Sequence, residues 1–158
     1  MIVEMTPVEA NIAQKLAVMR HTVCRVNDVP DKQMGEQDPI QIDRDGVLAE
    51  MAFGKAFNLY PDFSIYPRKG GADLIGRSGK KIDVKATRYK TGRLLIHIEK
   101  EVTEVDIYVL AIVDGNTVDL VGYITAQDAM KEENIGDLGR GRGYVIERDQ
   151  LKLFKEQA

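Results

Sequence analysis

Glu50, Asp73, Asp83 and Lys85 are the residues whose types and spacing equip this chain for chemistry. Three carboxylates with a lysine two residues after the last acid are what a divalent-metal phosphodiesterase requires. Hard oxygen ligands suit Mg²⁺, which takes few protein ligands and keeps several waters for substrate and nucleophile. Such an ion neutralises charge on a scissile phosphate and lowers the pKa of a bound water. A nearby lysine orients or deprotonates that water and stabilises charge at phosphorus. Other chemistries are poorly supplied. The lone cysteine, Cys24, excludes a disulfide framework and a Cys-based zinc site. Two histidines (His21, His97) and two serines (Ser64, Ser78) leave little for His-dependent hydrolysis. No GxGxxG or P-loop pattern occurs.

These residues act together only if the chain places them together, and a hairpin is the device that would do so. Two strand-like runs flank Arg77, Ser78 and Gly79. A three-residue hairpin loop takes two right-handed residues and then a left-handed one, the place glycine fills here. Gly76 then pairs with Lys80, and outward in the same register Asp73 stands opposite Asp83 on one face. A two-residue Ser78-Gly79 loop would shift the register by one and separate them. Period two also puts Lys85 and Thr87 on the face of Asp83, with Ile82, Val84 and Ala86 turned to a core.

Glu50 belongs to a helix expected over residues 45–58. At 100° per residue it lies within the apolar stripe of Val47, Phe53 and Phe57, whereas Lys55 falls on the far side. A carboxylate centred on a core-facing stripe needs a partner, because burying it unpaired costs several kcal/mol.

Around these elements the chain reads as one domain of 158 residues with helices first and a mixed sheet after. Thr6, Pro7 and Glu9 form a capping box, and Val8, Ile12, Leu16, Met19, Val23 and Val26 predict the buried stripe of a first helix within residues 1–28. Residues 28–45 read as an acidic loop. Strands are predicted near 63–66, 72–76, 80–88, 93–98, 105–113 and 117–124, with 105–113 apolar on both faces as a central strand would be. Residues 125–158 supply a short helix capped by Thr125, a strand near 144–146 and a final helical turn. The class is α/β (α+β), a central mixed β-sheet flanked by helices. No apolar run is long enough for a membrane span, and no secretory leader is visible, so a cytoplasmic location is expected.

The pattern resembles the PD-(D/E)xK nuclease superfamily, with Glu50 on the first core helix, Asp73 on the next strand and Asp83-Val84-Lys85 on the strand after. The similarity spans residues 46–124. Gly71-Ala72 stands where the family name places proline, and the third acid is aspartate rather than the commoner glutamate. The resemblance implies a restriction-endonuclease-like core, with Asp73, Asp83 and the Val84 carbonyl as metal ligands. It also implies Glu50 on the metal directly or through water, and Lys85 beside the nucleophile. The expected cofactor is Mg²⁺, with Mn²⁺ able to substitute, and the expected activity is hydrolysis of DNA phosphodiester bonds, as an endonuclease. A Holliday-junction resolvase, which would act as a homodimer, and a non-catalytic nucleic-acid-binding module on the same fold are the alternatives.

Charge is distributed to suit a DNA partner. Residues 67–93 hold nine basic side chains and two acids, a local +7, while the remaining 13 basic and 23 acidic residues give −10, together the net −3. Lys69, Lys80, Lys81, Thr87, Arg88, Lys90 and Arg93 are the expected phosphate contacts. The run Gly139-Arg140-Gly141-Arg142-Gly143 reads either as a second phosphate contact or as a plain basic loop. His97 reads as a surface or interface residue, and His21 and Cys24 as structural.

Overall fold

Thr6 opens helix α1 (Pro7–Val26): its hydroxyl accepts the Glu9 N–H, and the Glu9 carboxylate accepts the Thr6 N–H at 2.7 Å, completing the capping box. The computed structural model describes residues 1–29, 38–67, 71–139 and 141–155. The inward face of α1 is not the stripe expected from hydropathy. Val8, Ile12, Met19 and Val26 are exposed, and the buried residues are Ala10, Ala13, Leu16 and Ala17. Alanine is a weak marker of burial in a sequence, yet it is the side chain that lets one helix lie close against another.

Helix α2 (Pro39–Phe57) starts six residues before the expected position. Asp38 caps it, accepting the Ile40 N–H at 3.0 Å, and Pro39 occupies the first turn, where a missing N–H is harmless. The expected loop is correspondingly shorter, and its residues 30–37 lie outside the described ones. The helix ends at Asn58, which takes the left-handed conformation with φ 52°.

The larger sheet combines β1 (Ile2–Glu4), β2 (Leu74–Ile75), β3 (Lys81–Thr87), β5 (Ile107–Asp114) and β6 (Thr117–Thr125) in the order β1-β6-β5-β3-β2. Only the β3–β5 pair is parallel, which makes the sheet mixed. β5 is the middle strand and is buried on both faces, as its apolar run predicts. β4 (Leu94–His97), β7 (Ile135–Asp137) and β8 (Arg142–Ile146) form a separate antiparallel sheet in the order β4-β8-β7. Short helix α3 (Ala126–Ala129) follows β6 and is capped by Thr125. The strand expected at 63–66 is absent, whereas β1 and β7 went unpredicted because three-residue strands carry too little pattern to read.

Helices α1 and α2 therefore cover one face of the large sheet, and the small sheet together with α3 covers the other. Ile82, Val84, Val109 and Ala111 pack with α1 and α2 in one core. Tyr108, Leu110 and Ile124 pack with Leu94, Ile96 and Ile146 of the small sheet in another. Gly143 makes the small sheet close: a Cβ there would collide with the Leu138 side chain and the Ile96 carbonyl. No helix among the described residues is long and apolar enough to cross a membrane.

Candidate functional site

The hairpin folds on the three-residue loop. The Gly79 N–H donates to the Gly76 carbonyl at 2.9 Å, the Gly76 N–H donates to the Lys80 carbonyl at 2.8 Å, and Gly79 has φ 80°. The ladder runs outward through Ile75↔Lys81 and Leu74↔Ile82. At Asp73 the backbone departs from it. The Asp73 N–H donates to the Ile82 carbonyl at 2.8 Å, and the Asp73 carboxylate accepts the Val84 N–H at 2.8 Å. Asp73 and Asp83 are therefore neighbours around the Val84 peptide rather than the directly opposed pair expected from the register. The Val84 carbonyl turns to the same edge as its N–H, since both groups of a strand residue point one way.

Asp83 is 3% exposed, and its carboxylate is gripped by Lys85, whose Nζ lies 2.8 Å from Oδ2 and 2.6 Å from Oδ1. That Oδ1 is buried and makes no directed hydrogen bond. The hydroxyl of Tyr108, Asp83's partner on β5, is likewise buried without one. Burial, with Asp83 and Glu104 adding to it, pushes the Tyr108 hydroxyl well above its ordinary pKa, so it remains a donor.

Glu50 reaches this group from α2. Its carboxylate accepts Nη1 of Arg20 on α1 at 3.1 Å, with both side chains 12% exposed, which supplies the partner its position on the stripe demands. Burial, then the charges of Glu50 and Asp83, raise the Asp73 carboxyl well above the ordinary aspartate range, against the smaller pull of Lys85 and the Val84 N–H. Burial works to lower the Lys85 ammonium, but Asp83, Asp73 and Glu50 outweigh it and leave its pKa raised. Lys85 is thus a cation in this arrangement, suited to orienting a water and stabilising negative charge rather than to accepting a proton.

The donor set fits a divalent cation of the magnesium type. The Asp73 carboxylate, the Val84 peptide and the Asp83 carboxylate lie together along one edge, and such oxygen donors are the kind that Mg²⁺ takes. Among the described residues no group of three or more His, Cys, Asp or Glu side chains is arranged to hold a metal ion.

The expected phosphate contacts separate into two groups. Lys80 is exposed at the loop and Thr87 shares Lys85's strand face, with its hydroxyl accepting the Tyr89 N–H at 3.2 Å. The others are drawn toward the protein's own groups. Arg88 Nε lies 2.5 Å from the buried carboxylate of Asp45, which Arg44 and Gln41 also bind at 3.0 Å. Arg93 pairs with Glu147 at 3.0 Å, Lys90 stands 4.0 Å from Asp114, and Lys81 Nζ lies 3.5 Å from the Thr103 carbonyl. Lys69 lies outside the described residues, as does Arg140, while Arg142 is exposed at the start of β8. Sequence reasoning missed Arg20, Tyr108 and Asp45. Arg20 had a readable signal, since a glutamate on a core-facing stripe demands a cation, but its place on α1 was hidden by the misread face. His21 also gains a partner, Nδ1 lying 2.8 Å from Asp43 of α2.

Comparison of the chain with family models, with curated proteins and with solved structures gave no match, so the reading rests on these residues alone.

Proposed function

We propose that the protein is a divalent-metal-dependent nuclease that hydrolyses DNA phosphodiester bonds internally, on a restriction-endonuclease-like core of the PD-(D/E)xK kind. The observation that carries this reading is the hairpin geometry that gathers Asp73, Asp83, the Val84 peptide and Lys85 at one edge, with Glu50 near enough to raise the Asp73 carboxyl. An assembly that concentrates negative charge costs stability and is kept where a cation is to be held.

In this reading Asp73, Asp83 and the Val84 carbonyl hold the ion, Mg²⁺ or Mn²⁺, and Glu50 binds it directly or through water. The ion when bound supplies an acidified water and charge neutralisation at the phosphate. Lys85, anchored by Asp83, orients the attacking water and stabilises negative charge on the phosphoryl oxygens. Arg20 positions Glu50 by fixing its carboxylate from the far side. Lys80 offers a cation to the DNA backbone at the hairpin tip.

Purified protein incubated with supercoiled plasmid and Mg²⁺ or Mn²⁺ should nick or linearise it, and EDTA should stop the reaction. Asp83→Ala and Lys85→Ala should each lower the rate at least about 100-fold, the scale on which electrostatic stabilisers act. Cleavage that persists unchanged in both variants would overturn the assignment.

A further inference from the structure

Between α2 and the hairpin, residues 60–66 form no regular element and turn four large apolar side chains outward. Tyr60 is 81% exposed, Tyr66 50%, Phe63 39% and Ile65 37%. Water-exposed aromatics at this density are unusual in a segment that contributes so little to either core. The segment is nonetheless held. Pro61 and the Leu59 carbonyl lie against Gly54 of α2, where a Cβ would stand 3.2 and 3.1 Å from them. The Tyr60 and Phe63 rings meet edge to face, 5.7 Å apart at 89°.

The strongest tether is Arg20. The same guanidinium that binds Glu50 donates through Nε to the Ser64 carbonyl at 3.2 Å and through Nη2 to the Asp62 carbonyl. One planar cation thus fixes the main chain of the segment and a carboxylate of the site together. The segment's acid, Asp62, accepts the Ser64 N–H through Oδ1 at 2.8 Å. The cationic stretch 67–93 begins directly after.

We propose that residues 60–66 are a stacking platform for unpaired bases of a DNA strand, with Tyr60 and Phe63 as the principal faces. This rests on the nuclease reading and narrows it to substrates with single-stranded character, such as flaps, frayed ends or branches. Rings attached to a fixed main chain beside a cationic stretch match the chemistry of a single strand, whose bases stack on aromatics while basic groups follow its phosphates. Paired bases in a duplex are already stacked and gain nothing from such a surface.

The chain contains no tryptophan, so Tyr60→Trp places a single, selectively excitable tryptophan on the platform. Titrated with oligothymidylate in EDTA, where no cleavage occurs, this variant should show saturable quenching of its fluorescence. A duplex of the same length should quench it little. By anisotropy with labelled oligothymidylate, Tyr60→Ala should bind about 5- to 100-fold more weakly than the unaltered protein, and Tyr60→Phe should bind like it. Absence of quenching, or equal affinity in Tyr60→Ala, overturns the proposal. If Tyr60→Ala instead lowers the sedimentation mass and leaves oligothymidylate affinity unchanged, the face belongs to a second copy of the chain and the proposal also fails. These readouts are independent of hydrolysis, so loss of the nuclease reading would appear separately, as cleavage insensitive to Asp83→Ala.

Discussion

Asp73 is half-buried beside two other acids, and the raised pKa of its carboxyl means that ionising it works against the fold when no cation is present. Asn has the same shape and can still accept the Val84 N–H. Asp73→Asn should therefore abolish cleavage while leaving the metal-free protein as stable as before or more so, by about 1 kcal/mol, as commonly seen when a strained functional residue is relieved. The sign follows from linkage. A carboxyl whose pKa is higher folded than unfolded binds more protons when folded, so its contribution falls as pH rises above the ordinary aspartate range. Thermal melts in EDTA at several pH values should show the variant's advantage growing as pH rises, and an advantage that shrinks would contradict the burial of this charge. At this scale the acids and Lys85 were legible, because their types and spacing are chemically specific. Arg88 was misweighted: a basic residue near the site looks like a phosphate contact until the buried Asp45, 43 positions earlier, is seen to claim it.

The hairpin is the element on which the site depends, and Gly79 is its pivot. With φ at 80°, a side chain there costs about 1–2 kcal/mol, so Gly79→Ala should lower urea stability by that amount. Deleting Ile75 should do something different. With the loop unchanged and one residue lost from the strand before it, Asp73 slips by one position to the other face, so cleavage should vanish even where circular dichroism reports a folded protein. Retained cleavage would separate the site from this hairpin. The loop was readable from sequence because glycine at its third position is a local stereochemical requirement. The bonds of Asp73 to the Ile82 carbonyl and the Val84 N–H were not, since they lie beyond the paired residues of β2. Similarly, the capping box located the start of α1, whereas its inward face was decided by how closely α2 approaches, which hydropathy does not record. Pro39 looked like a loop residue and is in fact the first residue of α2.

Across the whole molecule the net charge of −3 conceals a cationic stretch, but folding neutralises part of it. Arg88, Arg93 and Lys90 stand beside Asp45, Glu147 and Asp114, leaving Lys80 among those free to meet phosphate. DNA affinity measured against salt should accordingly show a shallow slope, and Lys80→Ala should reduce it by about one unit. No change in slope would mean that DNA approaches elsewhere. The mixed sheet and the presence of helices beside it followed from the order of elements in the sequence. The second sheet did not, because β4, β7 and β8 are short and meet only through contacts distant in the chain.

The alanine face of α1 has one more consequence. Ala13 and Ala17 are fully buried in the core that α1 shares with α2, and Arg20 lies one turn beyond Ala17. A larger residue at either alanine must lever the helix outward and carry Arg20 away from Glu50. Ala17→Leu should thus slow cleavage without altering any group near the phosphate, and unchanged kinetics in a folded variant would show that α1 does not govern the site. On the proposed function, a methyl group in the core would thus tune the site through the guanidinium that joins α1 to Glu50.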